Sequence, residues 1–295
     1  MRVFVTGASG FVGSAVVREL LRAGHTVLGM VRSDSGAEAL SKTGAEVYRG
    51  NLNDLESLKN GAAQCDAVIH TAFNHDFSRF KENCEDDRKV ITAIGSVLAG
   101  SDRPLVITSG VGVMNYGRML TENDNPPSSD VVPRAASEEA ANALAEQGVK
   151  TYIVRLPPTV HDKGDHGFVP MVINIAKEKG ESAYVGDGSN LWPAVHRLDA
   201  AVMYRLIIEQ QPAQRIFHAV AEEGVPFRRI ATLIGEGLHL QTVSKEGKDA
   251  EAHFGWFSHF ASINCLASSE QSRKTLDWKP THASLIEDLV PGVYF

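Results

Sequence analysis

Cysteine is scarce in this sequence of 295 residues, and the three that occur, Cys65, Cys84 and Cys265, lie far apart. An odd, scattered set with no Cys-x-x-Cys spacing argues against both a disulfide framework and a structural zinc site. We therefore expect three free thiols.

Long apolar runs and an excess of positive charge are also missing. No apolar stretch approaches the ~20 residues that cross a bilayer, and Met1 leads into a strand pattern without a signal-peptide pattern. The formal net charge of -7 argues against nucleic acid or an anionic membrane as a partner. We therefore expect a globular, cytoplasmic protein about two average domains long.

The stretch from Val3 to Gly13, VFVTGASGFVG, is the most informative part of the sequence. A β-branched run is followed by apolar residues at helical spacing from Phe11 onward, which predicts a strand that turns sharply into a helix. Glycines suit a tight turn at Gly7, close approach of the backbone to a ligand at Gly10, and helix-on-strand packing at position 13. Because a helix N-terminus favours anions, the motif predicts a dinucleotide pyrophosphate site.

Strand and helix patterns alternate after this motif. Strands are expected over residues 25–30, 46–48, 66–70, 104–108 and 150–155. The alternation predicts an α/β Rossmann fold, a doubly wound parallel sheet with helices on both faces. We expect residues 1–155 to form the dinucleotide-binding domain, with 193–220 returning to it. Residues 156–192 and 221–295 are expected to form a small, mostly helical C-terminal subdomain that binds the substrate.

Ligands of such a sheet bind at the carboxyl ends of its strands, which gives the expected cofactor contacts. These are Thr6, Gly7, Ser9, Gly10, Phe11, Val12, Gly13, Arg32, Ser33, Asn51, Leu52, Thr71, Ala72, Phe73, Thr108, Leu156 and Pro157. The residues after the fourth strand, which include Phe73, His75 and Phe77, are expected to border the nicotinamide side of the cleft.

The end of the second strand sets the choice of cofactor. An acidic residue there would bond the ribose 2′-hydroxyl and repel a 2′-phosphate, but the position holds Val31. Arg32 follows, with a planar fork of donors that suits a phosphate, and Ser33 adds a hydroxyl. We therefore expect NADP(H) to be preferred over NAD(H). Two alternatives are a solvated surface arginine and a strand that ends later, which would bring Asp34 to the ribose.

Six motifs together resemble the extended short-chain dehydrogenase/reductase superfamily. They are TGASGFVG at 6–13, GNL at 50–52, VIHTA at 68–72, VITSG at 106–110, VRLPP at 154–158 and VHRLD at 195–199. The pattern is most similar to the atypical, epimerase-like subgroup that lacks the family's tyrosine. The resemblance implies a Rossmann domain, a nicotinamide cofactor, small-molecule oxidoreductase chemistry and no metal.

The sequence departs from this superfamily at its catalytic residues. A Tyr-x-x-x-Lys pair there supplies the proton and holds the nicotinamide ribose, whereas the matching segment here is PRAASE at 133–138. Arg134 then stands for the tyrosine and Glu138 for the lysine. The catalytic serine or threonine position falls on Gly110 or, with a shift of one residue, on Ser109. Both an unusual reductase and a protein that only binds the cofactor fit these departures.

Arg134 and Glu138 are four residues apart, so they are expected to share a helix face and to pair, structurally or within the active site. Arginine does not release a proton near neutral pH, but it can stabilise a developing alkoxide. The proton would then come from water, from Tyr116 or from His161. His161 belongs to a loop with Asp162, Asp165 and His166, a group that we expect to line the pocket rather than to bind a metal.

The interpretation that these features favour is an NADPH-dependent reductase of a small carbonyl compound. An aldehyde is preferred because it is electrophilic enough to need little acid assistance. The alternatives are an NAD(P)-binding regulatory or redox-sensing protein, and a sugar-nucleotide epimerase or dehydratase, which depends on the missing tyrosine. The expected partner is the carbonyl substrate, and a homodimer is compatible with the sequence.

Overall fold

A parallel sheet of seven strands forms the centre of the structure, a computed structural model that describes residues 1–114 and 116–295. The strands of the described residues are β1 (Arg2–Thr6), β2 (Thr26–Val31), β3 (Glu46–Arg49), β4 (Ala67–His70), β5 (Leu105–Gly110), β6 (Thr151–Leu156), β7 (Thr159–His161), β8 (Ser182–Val185), β9 (Leu191–His196), β10 (Ile216–His218), β11 (Glu222–Pro226) and β12 (Thr242–Lys245). The central sheet has the order β10-β6-β5-β4-β1-β2-β3.

Helices cover both faces of this sheet. The helices of the described residues, which include those packed on the smaller sheets, are α1 (Phe11–Arg22), α2 (Asp34–Ser41), α3 (Leu55–Ala63), α4 (Phe80–Ser96), α5 (Ala136–Glu146), α6 (Phe168–Lys179), α7 (Arg197–Gln210), α8 (Phe227–Leu238), α9 (Gly247–Phe254), α10 (Ser258–Ser262), α11 (Glu270–Leu276) and α12 (Leu285–Asp288). Short 3₁₀ turns occur at Phe77–Arg79, Val111–Val113, Pro133–Ala135 and Gly255–Phe257.

Successive side chains along each central strand point to opposite faces of the sheet and pack into two separate cores. On one face Val5 and Val106 pack with Leu20 of α1 and Ile207 of α7. On the other face Phe4, Ile107 and other strand residues pack with the apolar sides of α3, α4 and α5. Strands buried on both sides are typical of parallel sheets, and the predicted doubly wound Rossmann fold is confirmed.

Two small sheets were not expected. One has the strand order β11-β9-β7 and the other pairs β12 with β8. Each strand is short, and β7 has three residues, too few for an alternating pattern to show in the sequence. The core beside them is aromatic, built on Trp192, Phe227, Phe254 and Phe257. In the part of the chain that the structure describes, no helix combines the length and apolar character needed to cross a bilayer.

Candidate functional site

The turn between β1 and α1 leaves room for an anion. Gly7 has a φ of +69°, a left-handed conformation, and its carbonyl accepts a 2.8 Å hydrogen bond from the Gly10 N–H. A Cβ on Gly13 would lie 2.0 Å from the Gly7 oxygen, so helix and turn touch there. A Cβ on Gly10 would meet only that oxygen, at 3.1 Å. Gly10 is the N-cap of α1 without a side-chain cap, so the first N–H groups of α1 face this space.

An arginine rather than an acidic residue follows β2, at the same edge of the sheet as the glycine turn. Arg32 is exposed immediately beyond the strand. Ser33 is the N-cap of α2, and its Oγ accepts a 3.1 Å hydrogen bond from the Gly36 N–H. Asp34 already belongs to α2 and forms an ion pair with Arg49. This carboxylate therefore has a cationic partner of its own.

The other expected cofactor residues line the same edge of the sheet, beside the glycine turn or at the ends of β1 and β3 to β6. They are Thr6, Ser9, Phe11, Val12, Asn51, Leu52, Thr71, Ala72, Phe73, Thr108, Leu156 and Pro157. The Thr71 hydroxyl donates a 2.8 Å hydrogen bond to the Thr6 carbonyl, which joins the ends of β4 and β1. One continuous cleft edge therefore runs past the glycine turn.

Arg134 is held at this edge by a network of polar groups. Its Nη1 donates to Asp87 Oδ2 at 2.9 Å, and its Nη2 donates to the Thr108 carbonyl at 2.8 Å. The Ser137 hydroxyl accepts from Nη1 and donates to the same Asp87 oxygen. The guanidinium carbon lies 4.2 Å from the centre of the Phe73 ring, on the side where the nicotinamide is expected. Three of its five N–H donors are thus used by described residues, and two are left for a ligand.

Asp87 connects Arg134 to the glycine turn through His70. Burial alone would raise the pKa of Asp87, but Arg134 and His70 hold it at about 2, so the carboxyl is ionised at neutral pH. His70 Nε2 lies 2.8 Å from Asp87 Oδ1, and Nδ1 lies 2.6 Å from Thr6 Oγ1. In the neutral ring, Nε2 donates to the carboxylate and the Thr6 hydroxyl donates to Nδ1.

The expected pairing of Arg134 with Glu138 is wrong. Arg155 donates to Glu138 instead, from Nε to Oε1 at 2.9 Å and from Nη2 to Oε2 at 2.7 Å. The side chains of Arg155 and Glu138 are 0% and 1% exposed, so Glu138 does not face the cleft. The physical reason is local: Arg134 lies in the 3₁₀ turn Pro133–Ala135, outside α5, so the α-helical spacing that would align the two side chains does not apply.

We expect Glu138→Ala to destabilise the fold by about 3–5 kcal/mol, because it leaves the buried Arg155 charge without its partner. The measurement is equilibrium unfolding in urea. Glu146→Ala, on the exposed face of the same helix, is the control and should cost under ~0.5 kcal/mol. A loss for Glu138→Ala as small as that of the control would show that Arg155 does not depend on this pair.

The other expected catalytic residues lie in three different settings. Ser109 is 4% exposed, and its Oγ has no hydrogen-bond partner within the described residues. Tyr116 is 42% exposed, and its hydroxyl donates to the Asn125 carbonyl. The expectation that His161 lies in a loop is wrong: His161 is the last residue of β7, which pairs with β9. Its ring is fully buried with Nδ1 2.7 Å from Asp288 Oδ2, so it does not reach the cleft.

Aromatic contacts join the sheet edge to the C-terminal part of the chain. The ring of Phe77, after β4, lies 5.4 Å from that of Trp256. Phe11 in the glycine turn lies 5.8 Å from the His166 ring and 4.7 Å from the Arg197 guanidinium carbon. The cleft is therefore bounded by the strand ends on one side and by residues from the C-terminal half of the chain on the other.

Asp87 is the site residue that sequence reasoning missed. Its position in α4 gives a usable signal, because it shares helical spacing with the buried residues Cys84, Val90, Ile91 and Ile94. An acid on the apolar face of a helix requires a buried partner. Arg155, the partner of Glu138, had no comparable signal, since an arginine near a strand end is commonly exposed.

Several known proteins are similar to this chain in sequence, in fold or in both. Residues 3–219 match the model of the NAD dependent epimerase/dehydratase family. A Schizosaccharomyces pombe protein without a functional name is 51% identical over 100% of both chains. The 4-hydroxy-2-methyl-3-oxo-4-farnesyl-3,4-dihydroquinoline-1-oxide ketoreductase of Stigmatella aurantiaca is 28% identical over 86% of this chain and 80% of its own. UDP-glucose 4-epimerase of Thermotoga maritima is 21% identical, with a TM-score of 0.75 over 100% of this chain and 98% of its own.

Proposed function

Because the chain belongs to the NAD-dependent epimerase/dehydratase family, and is an NAD(P)-dependent oxidoreductase of the short-chain dehydrogenase/reductase type, we propose that it reduces a small aldehyde with NADPH. The observation that carries the proposal is the setting of Arg134. A fixed cation lies beside the ring of Phe73, at the position that the resemblance assigns to the superfamily's tyrosine. A developing negative charge on a carbonyl oxygen is what such a cation stabilises.

The glycine turn fits the pyrophosphate of the cofactor. The open space beside Gly10 and the N–H groups that begin α1 supply hydrogen bonds without a side chain in the way. The nicotinamide end would then lie toward Thr71, Phe73 and Thr108, at the ends of β4 and β5. When bound, the cofactor supplies the hydride, and the chain itself supplies orientation and charge.

Preference for NADPH is proposed from Arg32 and from Val31, which stands where an acidic residue would favour NADH. Arg32→Ala should weaken NADPH binding by about 1.5–3 kcal/mol, because a charged hydrogen bond to the 2′-phosphate is lost, and should leave NADH binding nearly unchanged. Fluorescence titration with both cofactors measures this. Arg18→Ala, which removes an exposed arginine of α1, is the charge-matched control. Equal affinities of the wild type for NADPH and NADH would overturn the preference.

Arg134 would act on the substrate oxygen through the two N–H donors that the described residues leave unused. Its pose is fixed before substrate arrives, since Asp87 and the Thr108 carbonyl hold the two ends of the guanidinium. A donor fixed in advance stabilises the transition state without reorganising, and removing one such donor typically costs ~10²–10³ in rate. Ser109, with its unpartnered hydroxyl, is proposed as a further donor in the same place.

The test of the proposed function is a screen of NADPH oxidation against matched aldehydes, ketones and imines. Aldehydes should react fastest, because they need the least acid assistance. Sugar nucleotides belong in the same screen, since epimerisation or dehydration would change them without net oxidation of added NADPH. Tight NADPH binding with no oxidation by any compound would instead favour a regulatory, cofactor-binding protein.

A further inference from the structure

The proposed reduction needs a proton that Arg134 does not supply, because a guanidinium stays protonated near neutral pH. The hydroxyl of Tyr116 is directed to the Asn125 carbonyl, and His161 is enclosed in the small subdomain. A proton donor must touch the substrate and must also recover its proton from water after each turnover. Neither of these two residues meets both conditions.

His75 is placed where both conditions can be met. It lies in the segment between β4 and α4, and its side chain is exposed to solvent. Its imidazole stands edge-on to the Phe73 ring, with 5.1 Å between the ring centres. The guanidinium carbon of Arg134 lies 4.2 Å from the centre of the same Phe73 ring. The proposed oxyanion donor and the imidazole are therefore neighbours of one aromatic ring at the nicotinamide end of the cleft.

We propose that His75 is the general acid of this enzyme, an inference that rests on the proposed reductase function. The hydride adds to the carbonyl carbon and the π electron pair moves to the oxygen, where Arg134 stabilises it. The imidazolium of His75 gives its N–H proton to that oxygen, and the electrons of the N–H bond stay on the nitrogen. The products are the alcohol, the oxidised cofactor and a neutral imidazole, which then takes a proton from water.

The charges around His75 set the pH at which it acts. Although the His75 side chain reaches solvent, the residues packed around it remove part of its hydration, which lowers its pKa from 6.5. Arg134 and His166, in the turn before α5 and the loop before α6, lower the pKa further, while a hydrogen bond with the Phe73 backbone and the charge of Asp87 on α4 raise it. The acid form is therefore present at low pH and is lost as pH rises through a pKa below 6.5. Asp87 does not produce this change, because its own pKa is about 2.

The experiment is single-turnover NADPH oxidation by the wild type, His75→Gln and His166→Gln across pH, with an aldehyde from the screen. His75→Gln should lower the rate by ~10² or more at pH 6 and abolish the decline with rising pH. NADPH affinity and melting temperature should stay near wild-type values. His239→Asn, at an exposed left-handed position after α8, is the control and should leave rate and pH profile unchanged.

A second measurement does not depend on turnover. NMR titration of the histidine ring protons, with His75 assigned by its loss in His75→Gln, should give a pKa that matches the kinetic decline of the wild type. A mismatch of more than about one pH unit, or a pH profile that survives in His75→Gln, overturns the assignment. A decline that disappears in His166→Gln alone moves the role to that residue. A wild type that oxidises NADPH with no aldehyde refutes the reductase proposal itself, and with it this one.

Discussion

Gly10→Val is expected to abolish binding of NADPH while leaving the fold intact. The backbone of Gly10 is extended, with φ of -76° and ψ of 173°, which valine can adopt, and its Cβ would lie 3.1 Å from the Gly7 oxygen, so the turn need shift only slightly. Its side chain would enter the open space that we assign to the pyrophosphate. If two charged hydrogen bonds from the start of α1 are lost, each worth about 1.5–3 kcal/mol, the affinity falls by ~10²-fold or more.

Titration with NADPH and the melting temperature without cofactor together measure this effect. Gly10→Ala should give a smaller loss of affinity, because one methyl group fills less of the space. Gly13→Ala is a useful contrast, since its Cβ would lie 2.0 Å from the Gly7 oxygen and should destabilise the protein directly. Normal binding by a folded Gly10→Val protein would show that the phosphates lie elsewhere.

Arg134→Ala is expected to lower the hydride-transfer rate by ~10² or more, because the fixed cation at the substrate oxygen is lost. NADPH affinity should fall much less than the rate, since Arg134 contacts residues at the nicotinamide end and none at the glycine turn, where the charged phosphates would bind. Single-turnover NADPH oxidation with an aldehyde measures the rate, and titration measures the affinity. A purely structural Arg134 would leave the rate within a few-fold of wild type.

Removal of Arg134 also leaves the buried Asp87 carboxylate with fewer partners, so folding needs a control of its own. Arg134→Lys keeps the charge opposite Asp87 but loses the planar fork that also reaches the Thr108 carbonyl. This variant should fold well and recover only part of the rate. A full recovery by lysine would show that charge alone matters and that the orientation of the guanidinium does not.

The fold was predictable from the sequence because its signals are local. Alternation of strand and helix patterns, together with the glycine turn, defines a parallel sheet and its ligand edge. The small sheets of β7, β8, β9, β11 and β12 were not predictable in this way. Their strands are short, and their pairing brings together residues far apart in the chain, such as Thr242 and Ser182.

The candidate site was predictable in its cofactor edge but not in its polar interior. Residues at strand ends follow from topology, so the cleft edge could be named in advance. The partners of Arg134 and Glu138 depend instead on how α4, the turn before α5 and β6 pack together. The 3₁₀ turn Pro133–Ala135 ends before α5 begins, and this break changes which side chains share a helix face. The sequence PRAASE contains no signal for the break.

The buried pair of Glu138 with Arg155 also limits which residues positions 134 and 138 can hold. Glu138→Lys would place two cations together in the interior. Arg134→Tyr would take from Asp87 one of the two partners that hold its pKa at about 2. A penalty of ~3–5 kcal/mol for either step is a large share of the ~5–15 kcal/mol that keeps a protein folded. A single substitution at position 134 or 138 is therefore expected to unfold a large fraction of the protein, so a Tyr-x-x-x-Lys pair cannot be built here one residue at a time.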